Sequence, residues 1–119
     1  MALLLGYDVG SSSVKATLME AGTGKVFGTA TSPNQELEIL AKKPGWAEQN
    51  PETWWEHVKL ATAKIRERTQ FDPWDVKAIG ISYQMHGLVA VDRYKRVLRP
   101  SIIWCDSRAV QIGQQAAKA

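Results

Sequence analysis

The apolar run Leu3-Leu4-Leu5 is broken by Gly6-Tyr7-Asp8. Alternation resumes at Val14, with Ala16 and Leu18 on one side and Lys15 and Thr17 on the other. This pattern predicts two strands, and Gly10-Ser11-Ser12-Ser13 between them predicts a hairpin tip. Ala21-Gly22-Thr23-Gly24-Lys25 reads as the next turn and Val26 to Thr31 as a third strand, giving an antiparallel meander. From Ser32 to Gln49 no period is visible, and Pro33, Pro44 and Gly45 act as punctuation.

Asn50-Pro51-Glu52 carries the marks of a helix start: a capping side chain, proline in the first turn and an acid beside it. Trp54, Val58, Ala61 and Ile65 repeat at helical spacing, widened by Trp55 and Thr62. Lys59, Lys64, Arg66, Glu67 and Arg68 lie mostly off that stripe. The pattern predicts a tryptophan-rich packed side, a charged solvated side and an end at Asp72-Pro73. Val76 to Ser82 and Leu88 to Asp92 read as buried strands, Arg93-Tyr94-Lys95-Arg96 as a turn, and Ile102-Ile103-Trp104 as a third short run. Three strands, a helix, then further strands predict an α/β fold with a mixed sheet. Residues 107–119 read as a helix without a stop signal, so the chain is expected to be a fragment of a longer one.

The chain has 119 residues, the size of one domain, with an ordinary 45% hydrophobic and 23% charged composition. A net charge of +3, with dispersed Lys and Arg, argues against a nucleic-acid partner. The densest basic stretches, Lys59 to Arg68 and Arg93 to Arg99, read as solvated faces. Cys105 is the single cysteine, which excludes an internal disulfide and fits a cytoplasmic protein; beside Trp104 it reads as a small packed hydrophobe. The opening apolar run has no basic lead, so no export leader is expected. No apolar stretch reaches the ~18 residues of a membrane span.

Asp8-Val9-Gly10-Ser11-Ser12-Ser13-Val14-Lys15 is the first segment able to carry chemistry. A glycine permits close backbone approach, successive N–H groups in a tight turn make a cradle for an anion, and the hydroxyls of Ser11, Ser12 and Ser13 add donors. Lys15 can reach a β- or γ-phosphate. Asp8 repels phosphate unless hydrated Mg²⁺ lies between them, as with ATP. The same residues read equally as a plain polar hairpin.

Gly22-Thr23-Gly24-Lys25 is not a P-loop, because Met19 occupies the first glycine position and Val26 the metal-binding hydroxyl position. Phe27 at the third glycine position excludes the dinucleotide fingerprint as well. Gln84-Met85-His86-Gly87 follows a strand and suits a ligand-facing loop, with His86 donating to a sugar hydroxyl and Met85 covering an apolar face. A structural histidine is the competing reading. In Trp104-Cys105-Asp106-Ser107-Arg108, Asp106 serves either as a helix cap paired with Arg108 or as a substrate contact. His57 is assigned to structure. No metal-ligand cluster or nucleophile–base pair is visible.

Four segments, in order, resemble the FGGY carbohydrate kinases, and among them the xylulokinase branch. They are Gly6 to Lys15, Trp46-Ala47-Glu48-Gln49-Asn50-Pro51-Glu52-Thr53-Trp54-Trp55, Gln84-Met85-His86-Gly87-Leu88, and Leu98 to Arg108. The resemblance covers almost the whole chain. It implies an actin-like, ribonuclease-H-like fold, with residues 1–119 forming the first part of the N-terminal domain of a two-domain kinase. It implies ATP contacts from Gly10, Ser11, Ser12, Ser13 and Lys15, and Mg²⁺ held by Asp8 through water. Met85, His86 and Asp106 are implied to contact a ketopentose, D-xylulose above others, because glycerol kinases carry Arg-Glu where Met85 and His86 stand.

The general base is implied to lie later in the parent sequence, so the fragment alone is expected to be inactive. Sugar and ATP are then the partners, with no nucleic acid or membrane, and a homodimer is open. The rival readings are another FGGY kinase acting on ribulose, fuculose, gluconate or glycerol, and a non-enzymatic chaperone-like or filament-forming ATPase of the same fold.

Overall fold

In the computed structural model, which describes residues 1–119, the chain forms two compact units. The first comprises Met1–Leu37 and Glu52–Gln84, the second Glu38–Pro51 and Met85–Ala119.

The early alternation in the first unit forms β1 (Leu3–Val9), β2 (Val14–Glu20) and β3 (Val26–Ser32), paired antiparallel as the meander expected. The later apolar run forms β5 (Val76–Tyr83), which joins β1 in parallel and gives the order β3-β2-β1-β5. The long helix α1 (Pro51–Thr69) packs on one face. Leu3 and Leu5 of β1, Val14, Ala16 and Leu18 of β2 and Ala30 of β3 meet Ala61 and Ile65 of α1, while Tyr7, Val9 and Val58 flank this core. Residues alternating with the buried ones in β1 and β2 therefore point to the opposite face. The Tyr7 hydroxyl lies 2.5 Å from that of Thr62, which donates to the Val58 carbonyl, so Tyr7 is the donor. His57 is structural as expected, its Nδ1 2.8 Å from the hydroxyl of buried Ser32.

Several expectations need correction. The helix stops at Thr69, before Asp72-Pro73, where Gln70 turns to a φ of 48° and its N–H closes on the Arg66 carbonyl. Asp72 instead caps a short 3₁₀ turn, Pro73–Asp75. The packing stripe is carried by Ala61 and Ile65, whereas Trp55 stays 59% exposed. Lys64 and Arg68 are not free in solvent: they donate to the carbonyls of Thr31 and Thr29 on the outer edge of β3. Nor is β5 buried, since it ends the sheet and Ile79, Ile81 and Tyr83 are exposed. Beneath Trp55 and α1, an apolar groove of about 600 Å³ runs along Ile79 and Ile81.

In the second unit, β4 (Glu48–Gln49) pairs antiparallel with β6 (Ser101–Ile102). The expected strand Leu88 to Asp92 does not form as such. Leu88 bridges Ile102 and Val91 bridges Val97 singly, so the segment is split between two partners and forms no continuous ladder with either. Asp92 holds that turn by accepting from the N–H groups of Tyr94 and Arg96. Ile103 is buried and Cys105 exposed, so the cysteine is not the packed hydrophobe expected. The last helix, α2, runs from Val110 to Lys118.

Candidate functional site

The candidate residues fall in both units. In the first, β1 and β5 are parallel, so their carboxyl ends lie side by side, and the hairpin tip springs from one of them. Such strand ends are where open α/β sheets hold ligands. At the tip, the Gly10 N–H donates to the Ser13 carbonyl at 3.0 Å, and a Cβ on Gly10 would lie 3.2 Å from that oxygen. A side chain here would crowd that oxygen, so glycine suits the tight tip, and its own N–H is spent in closing it. The Ser12 carbonyl accepts from Leu37 N–H at 2.8 Å, which ties the tip to the segment after β3. The N–H groups of Ser12 and Ser13 have no protein partner, so they are the donors left for an anion.

Asp8 faces Lys15 on β2 and Ser82 on β5 in register, on the side of the sheet away from α1. Both Asp8 and Lys15 are exposed, and neither is engaged in an ion pair or hydrogen bond by its side chain. A free carboxylate, a free ammonium and two free backbone N–H groups suit Mg²⁺ with a polyphosphate: oxygen ligand for the cation, donors for the anion. The donor set therefore fits Mg·ATP.

Gln84 closes the first unit. Its N–H donates to the Val9 carbonyl at 3.0 Å, continuing the parallel ladder one residue beyond β5. Both polar atoms of its side-chain amide are shielded from solvent without a hydrogen-bond partner. Sequence reasoning placed Gln84 in a ligand-facing loop but did not single out its amide.

In the second unit, Met85 is 66% exposed and His86 is exposed with a φ of 63°. Left-handed backbone is uncommon outside glycine and concentrates at functional positions. Gln70 and Lys95 share it, but those residues end a helix and complete a tight turn.

Asp106 lies deep in a polar cluster. Its carboxylate accepts from the Ala47 N–H at 2.7 Å, from the Arg108 N–H at 2.9 Å, and from the Arg108 guanidinium at 2.7 and 3.0 Å. Those donors occupy the lone pairs of both oxygens. Hydrogen bonds from Arg108, with the backbone N–H groups, hold the Asp106 carboxyl well below the usual range against the opposing effect of burial. It does not cap α2, whose first position follows Ala109 without a side-chain cap. Arg108 also donates to Glu48 at 3.1 Å, and Arg99 donates to the same oxygen. Arg99 stays exposed, as expected of that stretch, but its guanidinium is also tied to this carboxylate.

Glu48 is 1% exposed: burial pushes its carboxyl up, and the hydrogen bonds from Arg108 and Arg99 overrule that and leave it lowered. The central place of Glu48 was not legible, because a two-residue strand has no period to read. Gly45, at a φ of 78°, presents its carbonyl to the N–H and hydroxyl of Ser107, and a Cβ there would lie 2.5 Å from that hydroxyl.

The family model for the FGGY family of carbohydrate kinases, N-terminal domain, matches residues 3–118. The chain belongs to the FGGY family. An FGGY relative, the xylulose kinase of Escherichia coli K12, is 38% identical over 109 residues, covering 92% of this chain and 21% of that protein. The chain thus spans about a fifth of the length of the curated relatives it matches. Among solved structures, a ligand-bound xylulose kinase from Lactobacillus acidophilus superposes with a TM-score of 0.85 at 26% identity, covering 99% of this chain and 23% of that one. A gluconate kinase from the same organism gives 0.84 at 26% identity, covering 98% and 22%. The sheet is that of the actin-like ATPase fold of FGGY kinases. Backbone likeness of this degree to kinases named for different acceptors leaves the acceptor to the side chains.

Proposed function

We propose that this chain is the opening part of an ATP-dependent sugar kinase that converts D-xylulose to D-xylulose 5-phosphate. One observation carries the reading. The Gln84 N–H is bonded to Val9, the last residue of β1, so Gln84, which opens the motif Gln84-Met85-His86-Gly87 in the sequence, stands at the strand end that bears the serine tip. The names of the most similar curated relatives support the ketopentose.

In this reading Ser11, Ser12, Ser13 and Lys15 hold the phosphate chain on the tip that Gly10 closes, with Ser12 and Ser13 contributing their free N–H groups. Asp8 would hold Mg²⁺, and the cation would supply charge neutralisation for phosphoryl transfer. Met85 and His86 orient the sugar. Asp106, with its lone pairs occupied, serves the sugar side by holding the loop from Ile103 to Arg108 in place. The chain's contribution to rate is positioning and electrostatics. None of its residues is assigned the general base.

The test is ADP release by the full-length protein over a panel of ketopentoses, polyols and sugar acids with Mg·ATP. D-xylulose as the best acceptor is expected. Preference for gluconate or glycerol would overturn the acceptor, and the absence of any acceptor-dependent release would overturn the enzyme.

A further inference from the structure

We infer that Gln84 is a further substrate-binding residue, its side-chain amide taking one hydroxyl of the acceptor sugar as both donor and acceptor. The inference rests on the kinase reading and adds a residue that nothing above assigns to the sugar.

Both Nε2 and Oε1 of Gln84 are shielded from solvent, and neither meets a protein partner. Buried side-chain amides are nearly always satisfied, and leaving one unpaired destabilises the fold, so an exception at a strand end asks for a ligand. The backbone fixes the residue, because the Gln84 N–H is tied to the Val9 carbonyl at 3.0 Å beside the parallel ends of β1 and β5.

The chemistry of the two orphan atoms selects the ligand class. Phosphate offers only acceptors and would leave Oε1 unsatisfied and facing negative charge. A cation offers no acceptor and would leave Nε2 unsatisfied. A hydroxyl donates to Oε1 and accepts from Nε2 together, which answers the amide with a single group. Gln84 therefore belongs with the polyhydroxy acceptor rather than with the nucleotide phosphates, although the serine tip springs from the adjacent strand. The next two residues in the chain, Met85 and His86, are those proposed to orient the sugar.

Gln84→Leu removes both polar atoms at similar volume, and Gln84→Met serves as a second variant should the first fold poorly. In the full-length protein the sugar KM is expected to rise roughly 10- to 100-fold, with the ATP KM unchanged. The unliganded melting temperature is expected to rise, because two unsatisfied atoms leave the interior. Calorimetric titration with D-xylulose and its monodeoxy analogues separates a sugar contact from a bound water. The wild type should lose affinity for one analogue, and Gln84→Leu should bind that analogue and the parent sugar alike.

An unchanged sugar affinity with the same ranking of analogues overturns the inference, whether or not the melting temperature rises. Sugar binding that depends on Gln84 in a protein without turnover would keep this inference and remove the kinase reading. Turnover with a sugar KM indifferent to Gln84 would do the reverse.

Discussion

The Arg108 guanidinium lies 3.7 Å from the centre of the Trp46 ring. In that position it also donates to both Asp106 and Glu48. One planar cation thus stacks on an aromatic face and bridges two buried carboxylates, a combination that a lysine cannot reproduce. Arg108→Lys should lower the melting temperature and Arg108→Ala should lower it further, because the alanine leaves two carboxylates without their shared partner. Thermal melts rank the two, and faster amide exchange at Ala47 and residues 101–108 would locate the damage. Equal melting temperatures for wild type and Arg108→Lys would refute the bidentate role.

Acid should find the same cluster. Arg108 holds Asp106 below its ordinary value, and Glu48 is likewise lowered. Each carboxyl has a lower pKa folded than unfolded, so its contribution is complete at neutral pH. It begins to fade as pH drops towards the unfolded value near ~4, and it is lost as pH falls through the folded value. Asp106→Asn should cost stability at pH 7 and flatten the acid limb of a stability–pH curve. An acid limb as steep as the wild type's would reject that origin.

Packing gives a sharper number at Gly28. A Cβ built there meets the Thr69 methyl at 2.9 Å, and the Thr69 hydroxyl is committed to the Ile65 carbonyl at 2.7 Å. The methyl therefore cannot swing away freely. Gly28→Ala should destabilise by about 1–3 kcal/mol, as overpacking does. Denaturant unfolding measures it, and a neutral result would mean that the end of α1 yields easily.

Among the nucleotide-side residues, Asp8→Asn in the full-length protein should lower kcat by about 10²- to 10³-fold, the scale of losing one preorganised electrostatic group. Lys15→Ala should act mainly on the ATP KM. Chelation of Mg²⁺ should abolish turnover, and added Mg²⁺ should restore it. Full activity of Asp8→Asn would displace the metal from this residue.

The opening meander was legible because its alternation has the strand period and its turns are marked by glycine and serine. The long helix announced itself through Pro51 and its stripe. β4, too short for a period, was not readable, β6 was read with its bounds shifted to Ile102-Ile103-Trp104, and the burial of Glu48 depends on partners some fifty and sixty residues away. Leu88 to Asp92 looked like a strand because local apolarity does not reveal whether a partner of matching length exists. In the candidate site, the residue types at the tip and after β5 were readable. Which N–H groups are free, and that the Asp106 oxygens are all taken, depends on three-dimensional geometry.

The two borders of the sheet are treated differently. On β3, Lys64 and Arg68 plug outward carbonyls, which shields that strand against adding another. On β5 no such plug exists, and Ile79, Ile81 and Tyr83 line up in alternation, with Ile81 63% exposed. In concentrated solution these 119 residues alone should recruit like strands and lengthen the sheet into oligomers. Light scattering should register that growth, and Ile81→Lys should suppress it.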